Sequence, residues 1–196
     1  APLGLVVSDP SIQHLSDFSN EQRIALPQPG SIQHILLSMA CARQLGDAGA
    51  LDKLLVTMSH PDGMNALLAG GEITGHFTSP PYLFQERELP GYHTVLSGRE
   101  AFGGDFTFIV GVVRNAYADD NEEILTGLIK AVEAACAYIR KNPREAAAVG
   151  SRLYELPQDE FADYLADPEM IFSTNVQGVE TFKEFMKGQN YLSASH

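Results

Sequence analysis

Cationic side chains are scarce in this chain: 13 Lys and Arg stand against 25 Asp and Glu over 196 residues, a formal charge of −12 at pH 7. Residues 1–113 hold 5 basic and 11 acidic side chains and residues 114–196 hold 8 and 14, so each part stands at −6. There is no basic arm and no acidic tail. An evenly acidic surface repels phosphate backbones, which excludes nucleic acid as an expected partner. The same sign disfavours an anionic membrane surface. Long apolar runs are also missing. The longest, Phe106 to Val113, is sized for a strand and falls well short of the roughly 18 residues that a membrane span needs. Cysteine is limited to Cys41 and Cys136, each in an alanine-rich helical stretch, SMACARQ and EAACAYI. Two such residues make neither a disulfide framework nor a metal-ligand spacing, and read as small buried side chains. The chain has no G-x-S-x-G, no phosphate-binding G-x-x-x-x-G-K-[ST], no H-E-x-x-H and no G-x-G-x-x-G. The histidines are His14, His34, His60, His76, His93 and His196, and no two are spaced to face each other on one helix turn. They read as surface or hydrogen-bonded residues. No catalytic residue, metal or cofactor is therefore expected.

What is present is an ordinary globular composition, 44% hydrophobic, in a chain long enough to bury a core without disulfides or metals. The first part alternates strands and helices. Strand patterns cover LGLVVS, RIALP, KLLVTM, TGHFTS, YHTVLS and FTFIVGVV; SIQHLSDF reads as a short helix or turn. Between them lie helices: IQHILLSMACARQLG, with an apolar stripe of Ile32, Ile35, Leu36, Met39 and Leu45; DGMNALLAGG, stopped by Gly70-Gly71; and YLFQERE after Pro80-Pro81. Repeated strand–turn–helix units of this length predict a mainly parallel sheet with helices on its faces. The second part is helical. Acidic residues from Asp119 to Glu123 open a helix, Arg140 and Lys141 close it, and Ile124, Leu128, Ile129, Val132, Ala135, Cys136 and Ile139 form its expected buried stripe. PREAAAVGSRLY, PQDEFADYLAD and VQGVETFKEFMKG read as three further helices.

Two segments carry the chemistry of a binding site. In RIALPQPGSIQHILL a strand passes through a Pro/Gly turn into a helix that starts at Gly30-Ser31. The first N–H groups of a helix lack internal partners and carry partial positive charge, glycine lets a ligand approach the backbone, and the serine hydroxyl adds a donor. Together these suit an anion or a carbonyl oxygen, with Gln33 and His34 in the first turn as additional side chains. Ser31 as a plain helix cap explains the same pattern. In GHFTSPPYLFQE a strand ends at Thr78-Ser79 and a helix begins at Pro80-Pro81, with Tyr82 available to stack or hydrogen-bond. Both segments lie beyond the carboxyl ends of strands, where open α/β sheets bind ligands. A third segment, SGREAFGGDFTF, offers Arg99 and Asp105 on a glycine-rich connection and reads mainly as solvated surface.

In order and spacing, LGLVVS, SIQHLSDF, RIALPQPGSIQHILL, ALLAGGEITGHFTSPPYLFQE and FTFIVGVVRNAYADDNEEILTGLIKAVEAACAYIRKNPREAAA resemble the periplasmic solute-binding proteins of ABC importers. The branch is the nitrate/sulfonate/taurine type, which shades into the thiamine-pyrimidine family. That resemblance implies a type II periplasmic-binding-protein-like fold, with residues 1–113 as an α/β lobe two and residues 114–196 as a helical segment returning to lobe one. The family's opening β-α-β-α stretch has no counterpart after Ala1, so the resemblance implies an incomplete lobe one, a fragment, and weak or absent ligand binding by this chain alone. It implies Gly30, Ser31, Gln33, His34, Thr78, Ser79 and Tyr82 as ligand-binding residues. The Thr78-Ser79-Pro80-Pro81 sequence departs from the Asp-plus-aromatic pattern frequent there, which leaves the ligand open among sulfonates, carboxylates, pyrimidines and other small polar solutes. The implied function is solute binding without enzymatic activity, for a small anion such as nitrate, a sulfonate or taurine. The implied partner is a membrane permease and the implied location is periplasmic or extracellular, with a lipid anchor compatible in the full-length protein. Two other readings share the fold: a thiamine-pyrimidine biosynthesis or binding protein, and the effector domain of a regulator. The first would need a reactive lysine and a cysteine cluster, and Lys53, Lys130, Lys141, Lys183 and Lys187 fall in none of these cleft motifs. An incomplete lobe one would leave Ile124, Leu128, Val132 and Ile139 without a sheet to cover them, so self-association of the fragment is also expected.

Overall fold

The apolar run near the start, buried at all four positions, forms strand β1 (Gly4–Val7) in the computed structural model, which describes residues 2–192. Four more strands follow: β2 (Arg23–Leu26), β3 (Leu55–Thr57), β4 (Ile73–Thr78) and β5 (His93–Ser97). They make one sheet in the order β3-β2-β4-β1-β5. β2 pairs in parallel with β3 and with β4, while β1 is antiparallel to both β4 and β5. Four strands thus run one way and β1 alone runs against them. The expected mainly parallel sheet is present, with one reversed strand inserted between β4 and β5. β4 sits mid-sheet, and five of its six residues are buried. A strand covered on both faces reads as a continuous rather than alternating apolar run, and here two polar residues, His76 and Thr78, are carried into that interior.

Helices α1 (Ile32–Gln44), α2 (His60–Ala69), α3 (Tyr82–Arg87) and α4 (Gly98–Phe102) follow β2, β3, β4 and β5 in turn. Each of α1, α2 and α4 is capped by a serine side chain, Ser31, Ser59 and Ser97 respectively, accepting from the backbone N–H three residues on. α1 is buried at every position from Gln33 to Cys41, all round rather than along a stripe. α4 packs against it, as does the later helix α9 (Val179–Gly188). Cys41 lies fully buried in α1, and that burial pushes its thiol up to about 12, so it remains an inert thiol. The SIQHLSDF segment holds a single 3-10 turn, Leu15–Asp17.

The chain forms two compact units. One comprises residues 2–106 and 178–192: the sheet, α1 to α4, and α9. The expected division at residue 113 differs from this, because α9 is held to the α/β unit by side chains from both ends. Phe102 and Phe106 meet Phe182 of α9 with ring centroids 4.8 and 5.5 Å apart. The Tyr191 hydroxyl lies 3.1 Å from Ser38 Oγ of α1, and its ring meets His34 edge-on.

The other unit, Thr107–Gln177, holds α5 (Asn115–Asp120), α6 (Glu122–Lys141), α7 (Pro143–Tyr154) and α8 (Gln158–Ala166). Its ends are tied where Thr107 N–H donates to the Gln177 carbonyl at 3.0 Å and Gln177 N–H to Thr107 Oγ1 at 2.8 Å. α7 and α8 pack closely, with Tyr154 stacked on Phe161.

Two expectations fail here. FTFIVGVV joins no strand, and Ile109 and Val112 are 77% and 91% exposed. Strand-forming residues need a partner's N–H and C=O groups, and no neighbouring strand meets this stretch among the described residues. The α6 stripe is likewise not buried: Ile124, Leu128, Ile129 and Val132 are all exposed, Leu128 by 58%. The helical period is present as expected, but the main contacts of α6 are with α5, α7 and α8 and leave these four side chains exposed.

Candidate functional site

Because β2, β3 and β4 are parallel neighbours, their carboxyl ends fall side by side on one rim of the sheet. The starts of α1, α2 and α3 gather there. At the first of them, the Gly30 backbone has φ +81°, the left-handed region that glycine occupies without strain. Its N–H donates to His34 Nδ1 at 2.9 Å, and the Ser31 N–H donates to the Gln28 carbonyl at 3.1 Å. These two backbone donors are used inside the turn. The donors without a helical acceptor are therefore the next two, Ile32 and Gln33. The Ser31 oxygen accepts from the His34 N–H at 3.4 Å, and no acceptor for its own proton is seen among the described residues.

His34 is buried, with its other nitrogen, Nε2, 3.3 Å from Asp52 Oδ1. Both ring nitrogens have partners, so His34 braces the Gly30 turn instead of presenting a bare nitrogen. Gln33, also buried, points across the rim: its Nε2 is 3.2 Å from His60 Nε2. His60 is the first residue of α2 and is half-buried. Its Nδ1 lies 3.1 Å from Thr78 Oγ1 and 3.3 Å from His76 Nε2. The Tyr82 ring stacks on it with centroids 5.9 Å apart. Beneath, His76 Nδ1 and Glu86 Oε1 are 2.6 Å apart, with both side chains fully buried. A polar chain thus runs Gln33–His60–His76–Glu86, joining the ends of α1, α2, β4 and α3.

The electrostatics of this chain follow from burial. Desolvation, with the His76 ring as a smaller contribution, pushes the His60 pKa down to about 4, so the ring is neutral at physiological pH. Desolvation raises the Glu86 carboxyl above its ordinary range, against the opposing pull of the His76 hydrogen bond and charge. Glu86 Oε2 has no hydrogen-bond partner among the described residues.

The structure therefore brings Ser31, Gln33, Thr78, Ser79 and Tyr82 to one rim, with Gly30 shaping the turn and His34 behind it. Thr78 and Ser79 are buried, and the Thr78 hydroxyl is engaged by His60. Ser79 leads into a cis Pro80-Pro81 bond that directs the chain into α3. Sequence reasoning missed His60, His76 and Glu86. The signal for His60 was available: Ser59-His60-Pro61 stands beyond the end of a strand and opens a helix, the rule that found Gly30-Ser31. His76 and Glu86 gave no local signal, because ten residues separate them and only the β4–α3 turn puts them together.

Gly63 of α2 is required by this arrangement. A Cβ there would stand 2.6 Å from His76 Nε2 and 2.9 Å from Cδ2. The ring cannot swing away, being fully buried and tied to Glu86. Gly63→Ala is expected to destabilise the chain by about 1–3 kcal/mol despite the better helix propensity of alanine. Urea unfolding checks this; an unchanged or raised midpoint would show that the His76 ring is free to move.

No protein-family model and no curated protein matches the sequence. Solved structures do. The periplasmic aliphatic sulphonate binding protein SsuA from Escherichia coli superposes with a TM-score of 0.73 at 19% identity, over 97% of this chain and 61% of its own. The chain has the fold of the periplasmic binding proteins. The alkanesulfonate-binding protein SsuA from Xanthomonas axonopodis pv. citri, bound to MOPS, matches with a TM-score of 0.68 at 17% identity, over 96% of this chain and 63% of its own. A ligand-binding component of an ABC-type import system from Staphylococcus aureus, solved with zinc bound, gives a TM-score of 0.63 at 15% identity over 97% and 64%. This chain thus spans about three-fifths of the length of these proteins. At these identities the likeness is one of fold.

Proposed function

We propose that this chain is the solute-recognising part of an ABC-importer binding protein, that it works in the periplasm with a membrane permease, and that it performs no catalysis. Its solute is a small organic or inorganic anion of the sulfonate, taurine or nitrate kind. What supports this reading is the start of α1 at the rim where β2, β3 and β4 end: Ile32 and Gln33 there have helix-end N–H groups without helical acceptors, next to the Ser31 hydroxyl. The partial positive charge of a helix start stabilises an anion without basic side chains, which suits a chain with so few of them. The fold shared with the sulfonate-binding proteins supports the same reading, and Tyr82 and Ser79 line the adjoining wall. The test is an amide NMR titration with methanesulfonate, taurine, nitrate and acetate. The expected result is a saturable shift of the Ile32 and Gln33 signals, with a Kd on the order of 1 mM for this wall alone and a loss of the response in Ser31→Ala. No saturable shift with any of the four would overturn the proposal, and a response to an aminopyrimidine alone would favour the thiamine-pyrimidine family.

The exposed Ile124, Leu128 and Val132 on α6 support self-association of the chain as well, since apolar patches of this kind are seldom left to water. Light scattering at rising concentration should give a mass above 21.3 kDa, and Leu128→Glu with Val132→Glu should return it to that value. A clean monomer at high concentration would sink this part of the proposal.

A further inference from the structure

The polar chain under the rim has a direction. Glu86 Oε1 stands 2.6 Å from His76 Nδ1. His76 Nε2 stands 3.3 Å from His60 Nδ1, and His60 Nε2 stands 3.2 Å from the Gln33 amide nitrogen. An ionised carboxylate can only accept a hydrogen bond. Neutral His76 therefore keeps its proton on Nδ1 and turns the Nε2 lone pair toward His60, which must donate from Nδ1. The neighbouring hydroxyl agrees. Thr78 Oγ1 donates to the Ser79 carbonyl at 3.5 Å and lies 3.1 Å from the same His60 nitrogen, which leaves its oxygen as an acceptor there. Both atoms that face His60 Nδ1 are thus acceptors, and the ring proton belongs on it.

The far end of the chain is fixed in consequence. Burial keeps the His60 ring neutral at physiological pH, so a proton on Nδ1 leaves Nε2 as a bare acceptor. Only the NH2 end of the Gln33 amide can meet it, and the carbonyl oxygen is the end left over. Gln33 is buried, yet the fully enclosed side-chain atoms without a partner among the described residues are Thr74 Oγ1 and Glu86 Oε2. Gln33 Oε1 meets no donor among the described residues and is not enclosed, so it is left open to water or to a solute. The two ends of an amide have nearly the same shape, and packing alone does not tell them apart. Here the difference is imposed from Glu86 at the other end of the chain.

We propose that Glu86 is a positioning residue that acts through His76 and His60 to leave the Gln33 carbonyl oxygen open as an acceptor, and that the site thereby favours small anions carrying a hydroxyl or amino donor beside the acid group. The second half rests on the anion-binding reading, which sets the acid group at the Ile32 and Gln33 N–H groups, the latter on the same residue as this oxygen. A bare oxyanion has acceptors only. Seated there, it would cover the Gln33 oxygen without pairing it, and an unpaired carbonyl carries its desolvation cost. A solute with a donor a few bonds from its acid group pairs both. The selectivity is therefore a difference between related anions, set by which end of one amide is left free.

The first measurement is nitrogen-15 NMR of the histidine rings in the full chain at neutral pH, where protonated and bare ring nitrogens resonate far apart. His60 and His76 should both carry the proton on Nδ1. Glu86→Met keeps the volume and removes the acceptor, so both protons should move to Nε2. Glu86→Gln, which still offers an oxygen, should keep the parent pattern. The second measurement titrates 2-hydroxyethanesulfonate and ethanesulfonate, equal in charge and close in size, and follows the Ile32 amide. The hydroxyl compound should bind about fivefold tighter, the worth of one hydrogen bond. That preference should vanish in Gln33→Met and in Glu86→Met; if Glu86→Met does not fold, the parent tautomers and Gln33→Met carry the test. A His60 proton on Nε2 in the parent, or equal affinity for the two sulfonates, would overturn the proposal, and the second result leaves the anion-binding reading standing. No saturable shift with either compound would instead remove that reading, and the selectivity with it.

Discussion

Glu86→Ala is expected to lower the unfolding free energy of the chain by about 2–4 kcal/mol, the largest effect of any single polar replacement at the rim. Three contributions set the size. His76 Nδ1 loses its 2.6 Å partner in a place with no exposure to water, and an orphaned buried donor carries its full desolvation cost. The deleted side chain leaves a cavity between β4 and α3. Opposing both, the buried Oε2, unpartnered among the described residues, disappears. Glu86→Gln keeps an acceptor oxygen for the His76 N–H and the same volume, so it should cost no more than about 1 kcal/mol. Guanidinium unfolding of both variants distinguishes the accounts. If alanine and glutamine cost the same, the hydrogen bond is not what holds His76, and the polar chain from Gln33 to Glu86 is decoration on an apolar core.

Gly178→Val should cost about 2–3 kcal/mol, since a β-branched residue is forced into left-handed backbone and against an aromatic cluster. Gly178 caps α9 at φ +84°. A Cβ there would stand 2.8 Å from Phe102 Cζ and 3.0 Å from Phe106 Cβ. The first atom is the tip of a ring and can shift; the second is anchored to the backbone and cannot. The expected consequence is local: α9 lifts from the α/β unit and is cleaved early in limited proteolysis, while the sheet persists. Should the Gly178→Val variant keep both the parent's melting temperature and its cleavage pattern, α9 would not depend on the Phe102–Phe106–Phe182 contact for its place.

Both substitutions act through contacts between separate elements of the fold, which no local pattern encodes. The strands and helices of the α/β unit were legible because each is written locally. RIALP and TGHFTS are short apolar runs ended by turn residues. Ser31, Ser59 and Ser97 announce helix starts through the hydroxyl that each first turn needs. Gly30, Ser31 and Thr78-Ser79 were legible as a rim because parallel strands carry their carboxyl ends to one side.

The second unit shows the opposite case. FTFIVGVV and the stripe from Ile124 to Ile139 carry the right periods for a strand and a buried helix face, yet much of both stands in water. Periodicity reports which face is apolar, not whether anything covers it. His34 shows a finer limit of the same kind: its place near a helix start made it a candidate ligand, but its two nitrogens are bonded to Gly30 and Asp52.

By itself, then, the sequence determined an acidic chain whose charge disfavours nucleic acid, an alternating α/β half followed by a helical half, and a helix start at Ser31 suited to an anion. Composition and local period suffice for these, since they depend on neighbours within a few residues. Only the tertiary structure decided that β1 runs against its neighbours, that α9 joins the α/β unit, and that His60, His76 and Glu86 meet under the rim. Each of those depends on which buried surfaces find one another, and that choice is made by the packing of the whole fold.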